Sequence, residues 1–220
     1  MLRDRDRPRL WRATFAVVGW ATLGLQYILM VGPSQGWDVV ERTVNYFSYF
    51  TILTNILVAL AFTGPLIDAD RRLARWSASE GVRAAVAMYI VVVGVVYHLL
   101  IAPHWQPEGL LYGVNLVLHY LMPVAFVLDW LWFTPKGRLR WIDPVNWLTF
   151  PLIYGGWTLV HGLATHWWPY GFVNVDALGP VRVIAVFAGL LAFFGLVGMA
   201  LVGLDQLFGR TARDSGPRAA

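Results

Sequence analysis

Six times along the chain, apolar residues run almost unbroken for about 20 positions, near 14–31, 46–67, 82–102, 111–133, 147–164 and 181–204. A helix of about 20 apolar residues crosses the roughly 30 Å of bilayer hydrocarbon. The pattern predicts an all-α membrane bundle of six spans. No connection is long enough for a second core, so residues 1–220 form one domain. Between the runs the polar stretches are of two kinds. Connections 68–83 and 134–146 are charged, whereas Pro103-His104-Trp105-Gln106-Pro107 and His166-Trp167-Trp168-Pro169-Tyr170 are aromatic and proline-rich. Trp and Tyr settle at headgroup level, so the second kind is expected to lie on the membrane surface or fold over a mouth.

Charge sharpens this picture. Of 17 basic residues, fifteen fall in four short segments: Arg3, Arg5, Arg7, Arg9 and Arg12; Arg71, Arg72, Arg75 and Arg83; Lys136, Arg138 and Arg140; Arg210, Arg213 and Arg218. Only Arg42 and Arg182 lie elsewhere. Short loops rich in Arg and Lys stay on the cytoplasmic side, which predicts both termini there. The net charge of +4 is then a matter of topology and contact with anionic membrane lipid, with no nucleic-acid partner. The first run is too long for a signal peptide and is followed by no small-x-small cleavage site, so it is read as a span. With 58% hydrophobic and 14% charged residues, a soluble enzyme is excluded. The absence of Cys removes disulfides, thiol nucleophiles and cysteine metal sites. Arg far outnumbers Lys, which points to GC-rich coding and a bacterial plasma (inner) membrane.

Polar side chains inside spans are expensive, and each needs a reason. The second span carries Asn45, Ser48, Thr51, Thr54, Asn55 and Thr63. On one continuous helix all but Thr54 form a stripe facing the bundle interior. The fourth span sets Tyr112, Asn115 and His119 on one face, with Pro123 expected to kink the helix beside His119. The fifth sets Tyr154, Thr158 and His161 inward, and His98 ends the third at the same level. Asp129 lies ten residues beyond His119, about 15 Å along the helix, and suits a structural or anchoring role. On the last span, Gly189, Gly195, Gly198 and Gly203 suit close packing or lipid-facing positions. Interhelical hydrogen bonding at about 0.6 kcal/mol per contact accounts for many such residues without any site.

A hydroxyl and an imidazole at matched depth are also the minimum for acyl transfer: the imidazole takes the hydroxyl proton and returns it to the leaving group. Thr51 and His119 match in depth, with Thr54 a rival register. Ser48, Asn55 or Asn115 would orient the pair or donate to an oxyanion, with Tyr154 and His161 on the neighbouring face. No acid stands at that level, which predicts a slow enzyme. No metal site and no cofactor is needed for this chemistry.

Three features resemble the androgen-induced-gene family of membrane threonine hydrolases, and its bacterial six-span relatives. They are Tyr49-Phe50-Thr51 opening the second span, His119 followed by Pro123 and Asp129, and His161 with the later Trp-Pro-Tyr-x-Phe run at 168–172. That family cleaves fatty acid esters of hydroxy fatty acids. The resemblance implies Thr51 as nucleophile, His119 as catalytic histidine, and a lipid or fatty-acyl ester substrate. This chain departs from it in the spacing of its proline, in Asp129 where the family has Glu, and in His161-Gly162 where the family pairs two histidines. Two other classes fit the same polar residues: a haem- or quinone-binding membrane protein using His98, His119 or His161, and a small transporter.

Overall fold

The computed structural model describes residues 6–214, with side chains through residue 211. Of the basic tail residues, Arg3, Arg5 and Arg218 lie outside the described residues, as does the side chain of Arg213. Among the described residues every regular element is helical. In chain order these are α1 (Asp6–Val31), α2 (Trp37–Phe47), α3 (Phe50–Thr63), α4 (Arg72–Ala78), α5 (Glu80–Val96) and α6 (Gly109–Leu116). There follow α7 (Met122–Phe133), α8 (Asp143–Trp147), α9 (Thr149–Thr165), α10 (Val175–Leu178) and α11 (Pro180–Asp214). Two π turns, Tyr97–Ile101 and Val117–Leu121, extend α5 and join α6 to α7.

Four helical stretches are long and apolar enough to cross a membrane: Asp6–Val31, Glu80–Ile101, Gly109–Phe133 and Pro180–Thr211. A fifth is possible only as the bent pair of α2 with α3 and its 3₁₀ extension, whose axes differ by 69°. At 17 residues, α9 spans about 25 Å, short of the hydrocarbon thickness. Outward faces are apolar, with Ile28, Ile153, Val160, Val181, Ile184 and Leu196 all exposed. Such helices and such an exterior fit a membrane protein.

The bundle is organised around α5, which packs against α3, α7 and α11. Its N-terminus is capped by Ser79, whose side chain accepts from the Val82 N–H. Burial inside the bundle covers 56% of its most apolar window, against 17% for α11, so α11 faces mostly away from the bundle. Phe62, Met88, Phe126 and Trp130 fill the centre. Of the four glycines singled out on α11, Gly198 alone meets a close neighbour, since a Cβ there would lie 2.8 Å from Pro144 and 2.9 Å from the Met88 sulfur. Gly189 and Gly195 face open space.

Several expectations are corrected. The second run is broken: Ser48 closes α2 with its N–H on the Asn45 carbonyl (3.0 Å), and Tyr49 turns extended before α3 starts. Asn45 and Ser48 therefore belong to one helix and Thr51 and Asn55 to another, so they are no single stripe. Thr63 lies toward the surface, accepting from the Trp20 indole at 3.1 Å. Tyr112 is exposed and shares no interior face with Asn115. The helix runs on past Pro123. A π turn just ahead of it, with the Met122 N–H on the Val117 carbonyl, lets 25 residues run on as one element.

The basic residues are corrected too. Arg12 and Arg83 are 15% and 3% exposed and share Asp129, which has no exposure, so they are bundle ties and not lipid contacts. Arg83 also donates to Thr134 Oγ1 (3.0 Å) and to the Ala61 and Ser77 carbonyls (both 3.2 Å). One guanidinium thus fastens α3, α4 and α7 to α5. The anchoring role expected of Asp129 is what its contacts display.

Candidate functional site

Thr51 is the second residue of α3, just past the extended Tyr49. At this position its own N–H has no partner within the helix and points outward. That N–H donates to the Tyr170 phenol oxygen at 3.3 Å, and Thr51 Oγ1 lies 3.4 Å from the same oxygen. On its other side Oγ1 lies 3.4 Å from His119 Nε2. These contacts are at the long end of hydrogen bonding.

The imidazole is placed by the second π turn. His119 Nδ1 lies 3.1 Å from the Asn115 carbonyl, which can only accept. The neutral ring therefore carries its proton on Nδ1 and turns the Nε2 lone pair toward Thr51. Tyr97, in the first π turn, stacks on the ring at 3.8 Å between centroids. The Asn115 side-chain amide donates to the Tyr97 hydroxyl at 2.6 Å. Asn55 ties the two halves together, donating to the Thr51 carbonyl (2.9 Å) and the Leu118 carbonyl (3.2 Å). The two π turns and the start of α3 thus hold one hydroxyl against one imidazole.

A cavity of about 580 Å³ opens onto this pair, lined among others by Thr51, His119, Asn115, Tyr49, His104 and Tyr170. Among the described residues no Asp, Glu, Lys or Arg lines it. A smaller chamber of about 70 Å³, walled by Val92, Val96, Phe187, Leu190 and Phe194, adjoins it. Thr51, Tyr97, Ile101, Tyr170 and Phe172 line both. Thr51 therefore stands where an uncharged vestibule meets an apolar pocket.

The remaining singled-out residues divide. Asn115 joins Thr51 and His119 in the large cavity, and Tyr154 lines the small chamber. Ser48 lines neither; it accepts from the Trp157 indole (3.0 Å), and its carbonyl accepts from the Tyr154 hydroxyl (2.9 Å), fastening the corner to α9. Asn55 acts on backbone, as above. His161 packs against the Trp157 ring at 5.3 Å and lines neither space. His98 is exposed and bonds the Tyr120 hydroxyl at 3.1 Å. The three histidines expected at one level do not converge, and no group of three His, Asp or Glu suited to a metal occurs among the described residues. Thr54 is fully buried, lines neither space, and its hydroxyl has no partner.

Tyr170 and Tyr97 touch Thr51 and His119 without standing out in the sequence as site candidates. Tyr170 was visible only as part of the Trp-Pro-Tyr-x-Phe run. It rides on a loop closed by His166, in the left-handed conformation at φ 57°. Asp176 accepts from the Trp168 indole (2.8 Å) and His166 Nδ1 (3.1 Å), and those two bonds hold its carboxyl below the usual range. Burial pushes the Tyr170 phenol up to about 12, with Tyr49 nearby adding to it. It stays protonated over the whole neutral range. Pro169, Tyr170, Gly171 and Phe172 of this loop line the cavity described above.

No protein-family model, characterised protein or solved structure matches this chain.

Proposed function

We propose that this protein is a membrane-embedded hydrolase of lipid esters, with Thr51 as nucleophile and His119 as general base. One observation carries the reading. The Thr51 hydroxyl lies 3.4 Å from a histidine nitrogen whose partner atom is engaged by the Asn115 carbonyl, in a cavity without charged lining. Nε2 takes the Thr51 proton as Oγ1 attacks the ester carbonyl. The tetrahedral intermediate collapses, the alcohol leaves with the proton from Nε2, and an acyl-threonine remains. Water then attacks with its proton passing to Nε2, and the acid departs as Thr51 regains its hydrogen. A carbonyl, not a carboxylate, backs the imidazole, so the imidazolium formed in each step is weakly stabilised and turnover is slow.

In this reading the chain spans the membrane six times, counting α9 and the bent α2–α3 pair as spans, with both termini cytoplasmic. The site then lies in the non-cytoplasmic half of a bacterial plasma membrane. The 580 Å³ cavity suits a fatty-acyl ester, and the resemblance to the androgen-induced-gene family names esters of hydroxy fatty acids as the first substrates to try. The test is labelling of detergent-purified protein by a fluorophosphonate, followed by peptide mapping. A single adduct on Thr51 that is lost in His119→Ala supports the assignment. Folded protein without an adduct refutes it.

A further inference from the structure

We propose that Tyr170 is a third catalytic residue, donating its phenolic hydrogen to the oxyanion of the tetrahedral intermediate. The inference rests on the Thr51–His119 reading and names a group that reading lacks. Its starting point is the direction of the hydrogen bonds. Because the Asn115 carbonyl at 3.1 Å can only accept, His119 donates from Nδ1 and accepts at Nε2. Thr51 Oγ1 therefore donates to Nε2 when it is poised to react. With its hydrogen spent there, Oγ1 can engage the phenol 3.4 Å away only as an acceptor. The Tyr170 hydrogen thus points at the reacting hydroxyl.

Two further features suit the role. The phenol oxygen accepts the Thr51 N–H at 3.3 Å, and a hydroxyl that accepts a hydrogen bond becomes a stronger donor. Its ring is fixed by packing: Phe172 is stacked parallel at 5.1 Å and Tyr49 stands edge-on at 5.7 Å. When the carbonyl carbon bonds to Oγ1, its oxygen comes to lie about 2.3 Å from Oγ1, inside the reach of a donor already at the long end of hydrogen-bond distance. The electron pair of the broken C=O π bond settles on that oxygen. Tyr170 keeps its proton and supplies only the hydrogen bond, so His119 alone moves protons. No charged group lines the cavity to take the same part.

Tyr170→Phe removes the hydroxyl and leaves the ring. The expected result is a fall in kcat of about 100-fold with KM within about threefold, as for loss of one oxyanion donor, and a matching fall in the rate of fluorophosphonate labelling at Thr51. Tyr170→Phe that labels and turns over at the wild-type rate overturns the proposal while leaving Thr51 as nucleophile. Wild-type protein that never labels at Thr51 sinks the underlying reading instead. Should Tyr170→Phe fail to fold, a polyfluorinated tyrosine placed at 170 keeps the ring and hydroxyl but makes a stronger acid. A high-pH limb of the kcat profile that moves down with the acidity of the substituted phenol supports the role, and an unmoved profile refutes it.

Discussion

The two ends of the bundle differ in how their buried polar groups are paired, although Trp11 Nε1 at the basic end also lacks a partner. At the basic end Asp129 receives both Arg12 and Arg83, and Arg83 goes on to satisfy Thr134 and two backbone carbonyls. At the aromatic end, Oδ1 of Asn45, Asn55 and Asn115 and His161 Nδ1 are buried without a partner. There the contacts to Thr51 are long, two helices carry π turns, and a cavity remains open. Saturated polar groups in a closed core hold helices together. Of the unpartnered groups, Asn115 lines the cavity, where its free Oδ1 leaves capacity for a ligand. The same chain therefore separates the part that holds its shape from the part available for chemistry.

That contrast can be broken most forcefully at Asp129. Asp129→Ala strands the buried Arg83 guanidinium and the part-buried Arg12 guanidinium and should lower stability by about 3–5 kcal/mol, read as a lower thermal midpoint in detergent or failure to accumulate in the membrane. At the other end, Thr51→Ala should abolish ester turnover, and His119→Ala should lower it by about 10²–10⁴-fold. Both variants should keep a thermal midpoint near the wild type, because neither group saturates the core. A shift as large as that of Asp129→Ala would mean the aromatic end is structural after all. Gly162→Ala comes next. A Cβ there runs into the Trp168 ring, so the loop carrying Tyr170 must shift. Turnover should fall about tenfold with the fold retained, measured as kcat beside circular dichroism.

The smallest effect is one of pH. The Trp168 and His166 bonds hold the Asp176 carboxyl below its ordinary value. A depressed carboxyl contributes stability above its unfolded value of about 3.9, and that contribution is lost as pH falls through the folded value. Hydrogen exchange over 166–176 should be steady near neutrality and rise only below about pH 4, with Asp176→Asn removing the transition.

Much of this was legible in sequence and some of it was not, for physical reasons. The spans near 14–31, 111–133 and 181–204 follow from apolar length, which a membrane demands directly. The pairing of Thr51 with His119 was reachable because both lie at similar depth from the same end of neighbouring runs. The break at Ser48–Tyr49 was not, since no Gly or Pro marks it and the polar residues continue across it at helical spacing. Tyr97 sits inside an apolar run, where a π turn leaves no periodic signature, yet that turn brings the ring onto His119. Arg83 counted as one more positive loop residue because sequence gives its charge and not its burial. Tyr170 depends on how a loop folds back on a distant helix, which local spacing does not encode.

The π turn at Val117–Leu121 has a consequence for how this helix tolerates change. A π turn amounts to one residue inserted into an α-helix, so it resets the rotational phase between the segments on either side. The segment before the turn and the turn itself can aim Asn115 and His119 at the cavity while the segment after it aims Asp129 at its arginines. Each segment answers to its own neighbours. Were the same residues wound as regular α-helix throughout, one segment would turn by about 100° against the other, so that imidazole and carboxylate could no longer both face their partners.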